Sequence, residues 1–373
     1  MNTASRHLLL ALRDPCAMVG FDNNTWDLVI RQALSARLLG RLGALVQAHG
    51  IENQLPEAVN RQLHALLTLA EQQHRAVHWE LIQLTLTLAP LKGPVVLIKG
   101  AAYTAADLAP AQGRLFSDID ILVPKSQVDA AEAALLLGGW NSNVHDAYEQ
   151  RYYRKWMHEL PPMFHIRRQT VLDLHHNILP ETARIKTRPD LILAASRQLE
   201  DFPRFSIPSP ADQILHSTTH LFHEGEWDHG LRDLVDLDAL LRQHSQDPAF
   251  WDTLLHRARE LGLGKPLYYG LRYCQTLLAT PMPANILESC PERPGWITAW
   301  AMDRLFLPAF GTAHHSCRTK TSGLAAFFLY IRSHWLRMPL HLLLPHLVRK
   351  SWQRRVEPLL EKNAEKDNPA TAR

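Results

Sequence analysis

The chain has 373 residues, 46% of them apolar, and a formal net charge of +3. That is enough apolar material for a buried core in roughly two or three domains, and too little net charge to imply a general affinity for nucleic acid. The four cysteines, Cys16, Cys274, Cys290 and Cys317, lie far apart and form no CxxC pair, which excludes a disulfide-stapled scaffold and points to a reducing cytoplasm.

The first residues, MNTASRHLLLALRDP, hold an apolar run too short for a secretory signal and broken by Arg13 and Asp14. No stretch offers the roughly 20 uninterrupted apolar residues that a membrane span requires. From Arg6 to about Leu91 the apolar spacing is helical. Leu28, Ile30, Ala33, Leu38, Leu39, Leu42 and Leu45 recur mostly at threes and fours, and Leu63, Leu66, Leu67 and Leu69 open a long helix running through His78 and Leu81 to Leu88. Residues 1–92 are therefore expected to form an N-terminal helical region, a scaffold without a catalytic signature.

Gly93-Pro94 marks a break in composition. Val95 to Ile98 reads as a buried strand, Ala101 to Leu108 as a helix starting directly after Gly100, and Ile119 to Val123 as a second strand stopped by Pro124. Gln127 to Leu137 reads as a helix ended by Gly138-Gly139. Two further strands are expected near His145 to Tyr153 and Leu160 to Arg167, and VLDLHHNI, from Val171 to Ile178, as the last strand. Residues 93–185 thus predict a small unit with a mixed sheet, flanked by helices on both sides in sequence, an α+β organisation.

From Pro189 onward the pattern returns to helices, and residues 186–360 are expected as a C-terminal helical domain before a polar, disordered tail over 361–373. Pro208-Ser209-Pro210-Ala211-Asp212 opens a helix carrying His216, His220 and His223 on one face, and a later helix places Asp233 and Asp236 three apart. No HExxH accompanies them, so His216, His220 and Asp233 are read as substrate contacts or helix-to-helix hydrogen bonds rather than a zinc site. Between Arg304 and Val356 basic residues interleave with Phe327, Phe328, Tyr330, Trp335 and Trp352, with no acid among them. Such a segment suits a polyanion or a membrane surface, or packs its aromatic face on the domain.

The chemistry concentrates in VVLIKGAAYTAADLAPAQGRLFSDIDILV, residues 95–123. Side chains alternate along a strand, so Asp118 and Asp120 point to one face. Two adjacent negative charges are costly unless a cation, usually a divalent metal, neutralises them. Asp173, an acid inside an apolar strand, is the candidate for a third carboxylate. Lys99 and Arg114 supply cationic donors suited to phosphate, and glycine at position 100 permits close backbone approach. His175 shares a strand face with Asp173 and is read as a group that orients that carboxylate or meets substrate.

These residues resemble the nucleotidyltransferase superfamily with the DNA polymerase beta-like catalytic fold, and most closely its uncharacterised bacterial family reading Lys-Gly, Arg, Ser-Asp-Ile-Asp-Leu-Leu-Val and Asp-Leu-His. Here these are LIKGAA, Arg114, SDIDILV and LDLHH. The resemblance implies a metal-dependent transfer of a nucleoside monophosphate from an NTP to an acceptor. Asp118, Asp120 and Asp173 would be catalytic and hold Mg2+ or Mn2+, and Lys99, Gly100, Arg114 and Ser117 would lie at the nucleotide. One position departs: Ala101 stands where the superfamily usually has a phosphate-binding serine. Two alternatives follow, a nucleotide-binding module with weak chemistry, and an interaction protein acting at a membrane or polyanion through residues 304–356. The expected location is the cytoplasm, with peripheral contact at the inner membrane face in the latter case.

Overall fold

The computed structural model describes residues 5–339 apart from 145, 224, 226, 312 and 313. The chain opens with four helices, α1 (Arg6–Arg13), α2 (Asn23–Ser35), α3 (Leu39–Ala48) and α4 (Glu57–Thr87). The Asp22 side chain caps α2 by accepting from Thr25 N–H. In α4 the residues Val59, Leu63, Leu67, Ala70, Val77, Leu81 and Leu84 form a buried helical stripe, with Leu66 part-buried at its edge and Leu69 exposed.

The sheet begins with β1 (Val95–Ile98), followed by α5 (Lys99–Ala105), β2 (Ile119–Leu122), α6 (Val128–Leu137) and β3 (Trp140–Ser142). Next come α7 (Ala147–Trp156), β4 (Met163–His165), β5 (Val171–His175), α8 (Pro189–Ala194), β6 (Arg197–Gln198) and β7 (Phe205–Ile207). The remaining described elements are helical: α9 (Pro210–His223), α10 (Gly230–His244), α11 (Phe250–Leu261), α12 (Gly264–Leu278), α13 (Ile286–Ser289), α14 (Trp296–Ala309) and α15 (Ser322–Arg337).

The seven strands lie in the order β3-β4-β5-β2-β1-β7-β6. β2 pairs antiparallel with β1 and parallel with β5, and β7 runs parallel to β1. All residues of β1 and β2 are buried, as suits central strands covered on both faces. α4 packs on α5 and α6, while α9 packs against α10, α11, α12 and α15. One apolar core runs from Leu8 to Leu329.

Two expectations change. The segment read as a strand near His145 to Tyr153 is the helix α7 from residue 147 on. Asp146 caps it by accepting from Tyr148 N–H, and Arg154 and Lys155 occupy its last turn, where cations suit the helix dipole. These end signals outweigh the β preference of its tyrosines. The second change is that helices do not follow Pro189 without interruption, because β6 and β7 intervene and extend the sheet beyond β1. Of the basic segment 304–356, residues 340–356 lie outside the described part, as does the 361–373 tail. No helix among the described residues is long and apolar enough to cross a membrane.

Candidate active site

Strand register assembles the site. Asp120 on β2 lies directly beside Asp173 on β5, and Ile98 at the end of β1 pairs with Asp120 from the other side. The chain leaves β1 through Lys99, whose φ of 50° is left-handed. For a residue with a Cβ that costs about 1–3 kcal/mol. The Lys99 ammonium bonds Asp120 Oδ1 at 2.8 Å across the sheet.

Asp120 accepts a second bond on the same oxygen. His175 Nε2 lies 2.9 Å from Oδ1, and a carboxylate facing a cationic lysine can only accept, so Nε2 carries the proton. Both residues are almost fully buried, with Asp120 3% and His175 2% exposed. Burial alone would raise the Asp120 pKa, but the Lys99 charge and the His175 hydrogen bond outweigh it and hold the carboxyl well below its ordinary value. Lys99 is correspondingly held in its charged form: burial opposes this, and Asp120 and Glu159 overcome it.

Asp173 behaves in the opposite way. Burial raises its pKa to about 7, and the neighbouring charges of Asp120 and Glu159 add to the rise. Its Oδ1 is buried with no hydrogen-bond partner. Two carboxylates in adjacent register, one firmly ionised and the other reluctant, have the electrostatics of a cation site. Asp120, Asp173 and His175 each offer a ligand atom within 4.8 Å of the others. Lys99 and His175 both bond Asp120 Oδ1, which leaves Oδ2 as the oxygen of Asp120 able to meet a metal. The residues present therefore fit a divalent ion with oxygen ligands. Asp118, expected on the strand with Asp120, lies just before β2 instead; it is part-exposed, and accepts from the Ser117 hydroxyl at 3.0 Å.

Arg114 and Gly100 are placed differently from the carboxylates. The Arg114 guanidinium bonds Asp236 Oδ2 on α10 at 2.7 Å and lies 4.8 Å from the Phe116 ring centre. Although burial opposes its charge, Asp236 and Asp233 keep Arg114 protonated. A Cβ on Gly100 would stand 2.4 Å from Phe116 Cδ1 and 2.5 Å from Arg114 Nη1. Glycine is needed here so that the 114–116 loop can lie against α5, a reason unrelated to phosphate approach.

The histidine helix α9 faces the same region. His216 is buried, and burial, reinforced by the charges of Lys99 and His220, pushes its pKa well below the ordinary histidine value. The ring centres of His216 and His220 are 6.4 Å apart. Asp233 is bonded by Arg232 Nη2 at 2.6 Å, which leaves Asp236, the other acid of that helix face, to hold Arg114.

Two residues enter the site that the motifs did not point to. Glu159 forms an isolated bridge with His175, and its Oε2 lies 3.3 Å from His175 Nδ1 and 3.7 Å from His158 Nε2. Their only signal in sequence is an adjacent His-Glu pair after an aromatic segment, with no ligand spacing to recommend it.

A mixed sheet that sets two carboxylates in register under a strand-to-helix turn, with the histidine helix α9 beside them, is the arrangement a nucleotidyltransferase requires. The model of a family described as uncharacterised nucleotidyltransferase matches residues 22–279, and the chain belongs to that family. No curated protein matches it.

Proposed function

We propose that the protein transfers a nucleoside monophosphate from an NTP to an acceptor in a reaction dependent on a divalent metal, Mg2+ or Mn2+. The observation that carries this reading is the register of Asp120 against Asp173, with Asp173 Oδ1 buried and unbonded. Asp118, Asp120 and Asp173 would hold the metal, whose contribution when bound is to neutralise charge on the phosphates.

The chain's own residues supply the rest. In the transfer, the acceptor oxygen forms a bond to the α-phosphorus, the bond from that phosphorus to the bridging oxygen breaks, and pyrophosphate leaves with the electron pair. The acceptor's hydroxyl proton needs a destination, and the Asp173 carboxylate, which burial makes the more ready of the pair to take a proton, is the group we assign to receive it, on the oxygen that does not face the metal. Lys99 fixes Asp120 in its ionised form, and its ammonium and, once it turns from Asp118, the Ser117 hydroxyl are the donors we assign to the phosphates. Gly100 and Arg114 act behind them, keeping the 114–116 loop against α5 and tying α10 to the sheet. His175 orients Asp120, while His216 and His220 face the acceptor from α9 and Asp233 steadies α10.

The test is pyrophosphate release from a panel of NTPs with Mg2+ or Mn2+, in wild type, Asp118→Asn and Asp173→Asn. Both variants should lose turnover while keeping the wild-type circular dichroism, and turnover surviving in Asp118→Asn would refute the assignment. Asp120→Asn is a poorer probe, because it also strips Lys99 and His175 of their counter-charge. The reading as a nucleotide-binding module is favoured by the Lys99–Asp120 bond together with Ala101. Calorimetric NTP binding without product across the acceptor panel would select it.

Peripheral membrane contact has its own support in the exposed Leu324, Phe327, Phe328 and Ile331 of α15. Vesicle co-sedimentation that is unchanged after truncation before Ser322 would remove it.

A further inference from the structure

We propose that His158, Glu159 and His175 form a second metal site, distinct from the carboxylate pair, for a first-row transition cation of the zinc or cobalt kind. Three observations converge on it.

The first is spacing. Glu159 Oε2 lies 3.3 Å from His175 Nδ1 and 3.7 Å from His158 Nε2, and the three residues each offer a ligand atom within 4.8 Å of the others. In a tetrahedral centre with metal–ligand bonds of about 2.0–2.1 Å, neighbouring ligand atoms stand about 3.3–3.4 Å apart. The two pairs that include Glu159 already stand within a few tenths of an ångström of that spacing, and the two histidine nitrogens, within 4.8 Å of each other, have to close the rest.

The second is the tautomer. His175 gives its Nε2 proton to Asp120, which leaves a lone pair on Nδ1 when the ring is neutral. A carboxylate on one ring nitrogen and a metal on the other is the usual setting of a metal-bound histidine, because the carboxylate fixes the ring and makes it a better donor.

The third is an unmet need. His175 is 2% exposed, yet its Nδ1 makes no hydrogen bond although Glu159 Oε2 stands 3.3 Å away. A bare lone pair and a carboxylate oxygen 3.3 Å apart repel, and either a second proton on the ring or a metal cation held between them relieves it. Two imidazoles and one carboxylate choose the ion: nitrogen-rich sites prefer zinc-like cations, while Mg2+ prefers the oxygens of Asp120 and Asp173. The two sites would meet through His175, one ring nitrogen facing each.

The experiment uses the full chain, stripped with chelator and titrated with Zn2+ by calorimetry and with Co2+ by visible absorption. One equivalent of Zn2+ should bind and survive an excess of Mg2+. Glu159→Gln and His158→Gln should each weaken Zn2+ by at least about 10-fold and abolish the cobalt absorption. Asp173→Asn should leave both unchanged. The thermal midpoint of each stripped variant shows whether it is folded, and only wild type and Asp173→Asn should gain stability on adding Zn2+. The proposal is overturned by an absence of stoichiometric Zn2+ binding, by unchanged affinity in Glu159→Gln and His158→Gln, or by Asp173→Asn losing the metal as fully as Glu159→Gln does. None of these readouts requires nucleotide turnover, so the second site stands or falls separately from the transferase activity.

Discussion

Replacing Asp173 by asparagine should change how stability depends on pH. The wild-type carboxyl has its pKa raised from 3.8 to about 7 on folding, by burial first and then by Asp120 and Glu159. An acid raised in this way binds its proton more tightly in the folded state. The stability contributed by that proton is complete below the unfolded value of 3.8 and is lost as pH rises through about 7. Asparagine keeps the shape and carries no titrating proton. Each pH unit in the window is worth about 1.4 kcal/mol, so between pH 5 and pH 8 the variant should gain on the wild type by about 3 kcal/mol. Urea unfolding of both proteins in chelator, at pH 5, 6, 7 and 8, measures this directly. Parallel pH profiles would refute the reasoning, since they would mean that Asp173 ionises as freely folded as unfolded. Mg2+ added at pH 8 should narrow the gap by stabilising the wild type alone.

Arg114→Ala should destabilise the fold by about 3–5 kcal/mol in chemical denaturation, because it leaves Asp236 as an unpaired buried charge; a cost below about 1 kcal/mol, the range of exposed pairs, would show that the pair is solvated. Gly100→Ala forces a methyl group against Phe116 and Arg114 and should cost about 1–3 kcal/mol in the same assay. A neutral result there would show that the 114–116 loop is free to move off α5.

Much of the site was legible from sequence, for a geometric reason. Asp120 and Asp173 sit in short apolar strands, where period-two alternation fixes the face of each side chain, and the apolar runs themselves mark β1, β2 and β5, whereas Asp118 lies just outside β2, where alternation no longer fixes its face. Glu159 was hidden for an equally geometric reason. β4 and β5 pair Met163 with Leu172 and Phe164 with Val171, and continuing that ladder would set Leu160 opposite His175. Pro161 and Pro162 interrupt it, since neither has an N–H to offer, and the bridge re-forms one residue out of step with Glu159 facing His175. No pattern of residue types announces a one-residue slip. The Arg114–Asp236 pair was hidden for another reason: each residue was visible in its own segment, but only tertiary packing brings the 114–116 loop to α10.

The pairing of β7 with β1 carries a consequence for synthesis and for dissection. β1 is an apolar strand with every residue buried, and its second neighbour arrives only with Phe205–Ile207. Until the ribosome has released that segment, the nascent sheet shows a bare, sticky edge next to the turn that carries Lys99. A fragment cut at residue 185 would keep that edge permanently. It would contain Asp118, Asp120 and Asp173 and still be prone to pair with copies of itself, so the smallest useful piece of this protein has to reach beyond Ile207.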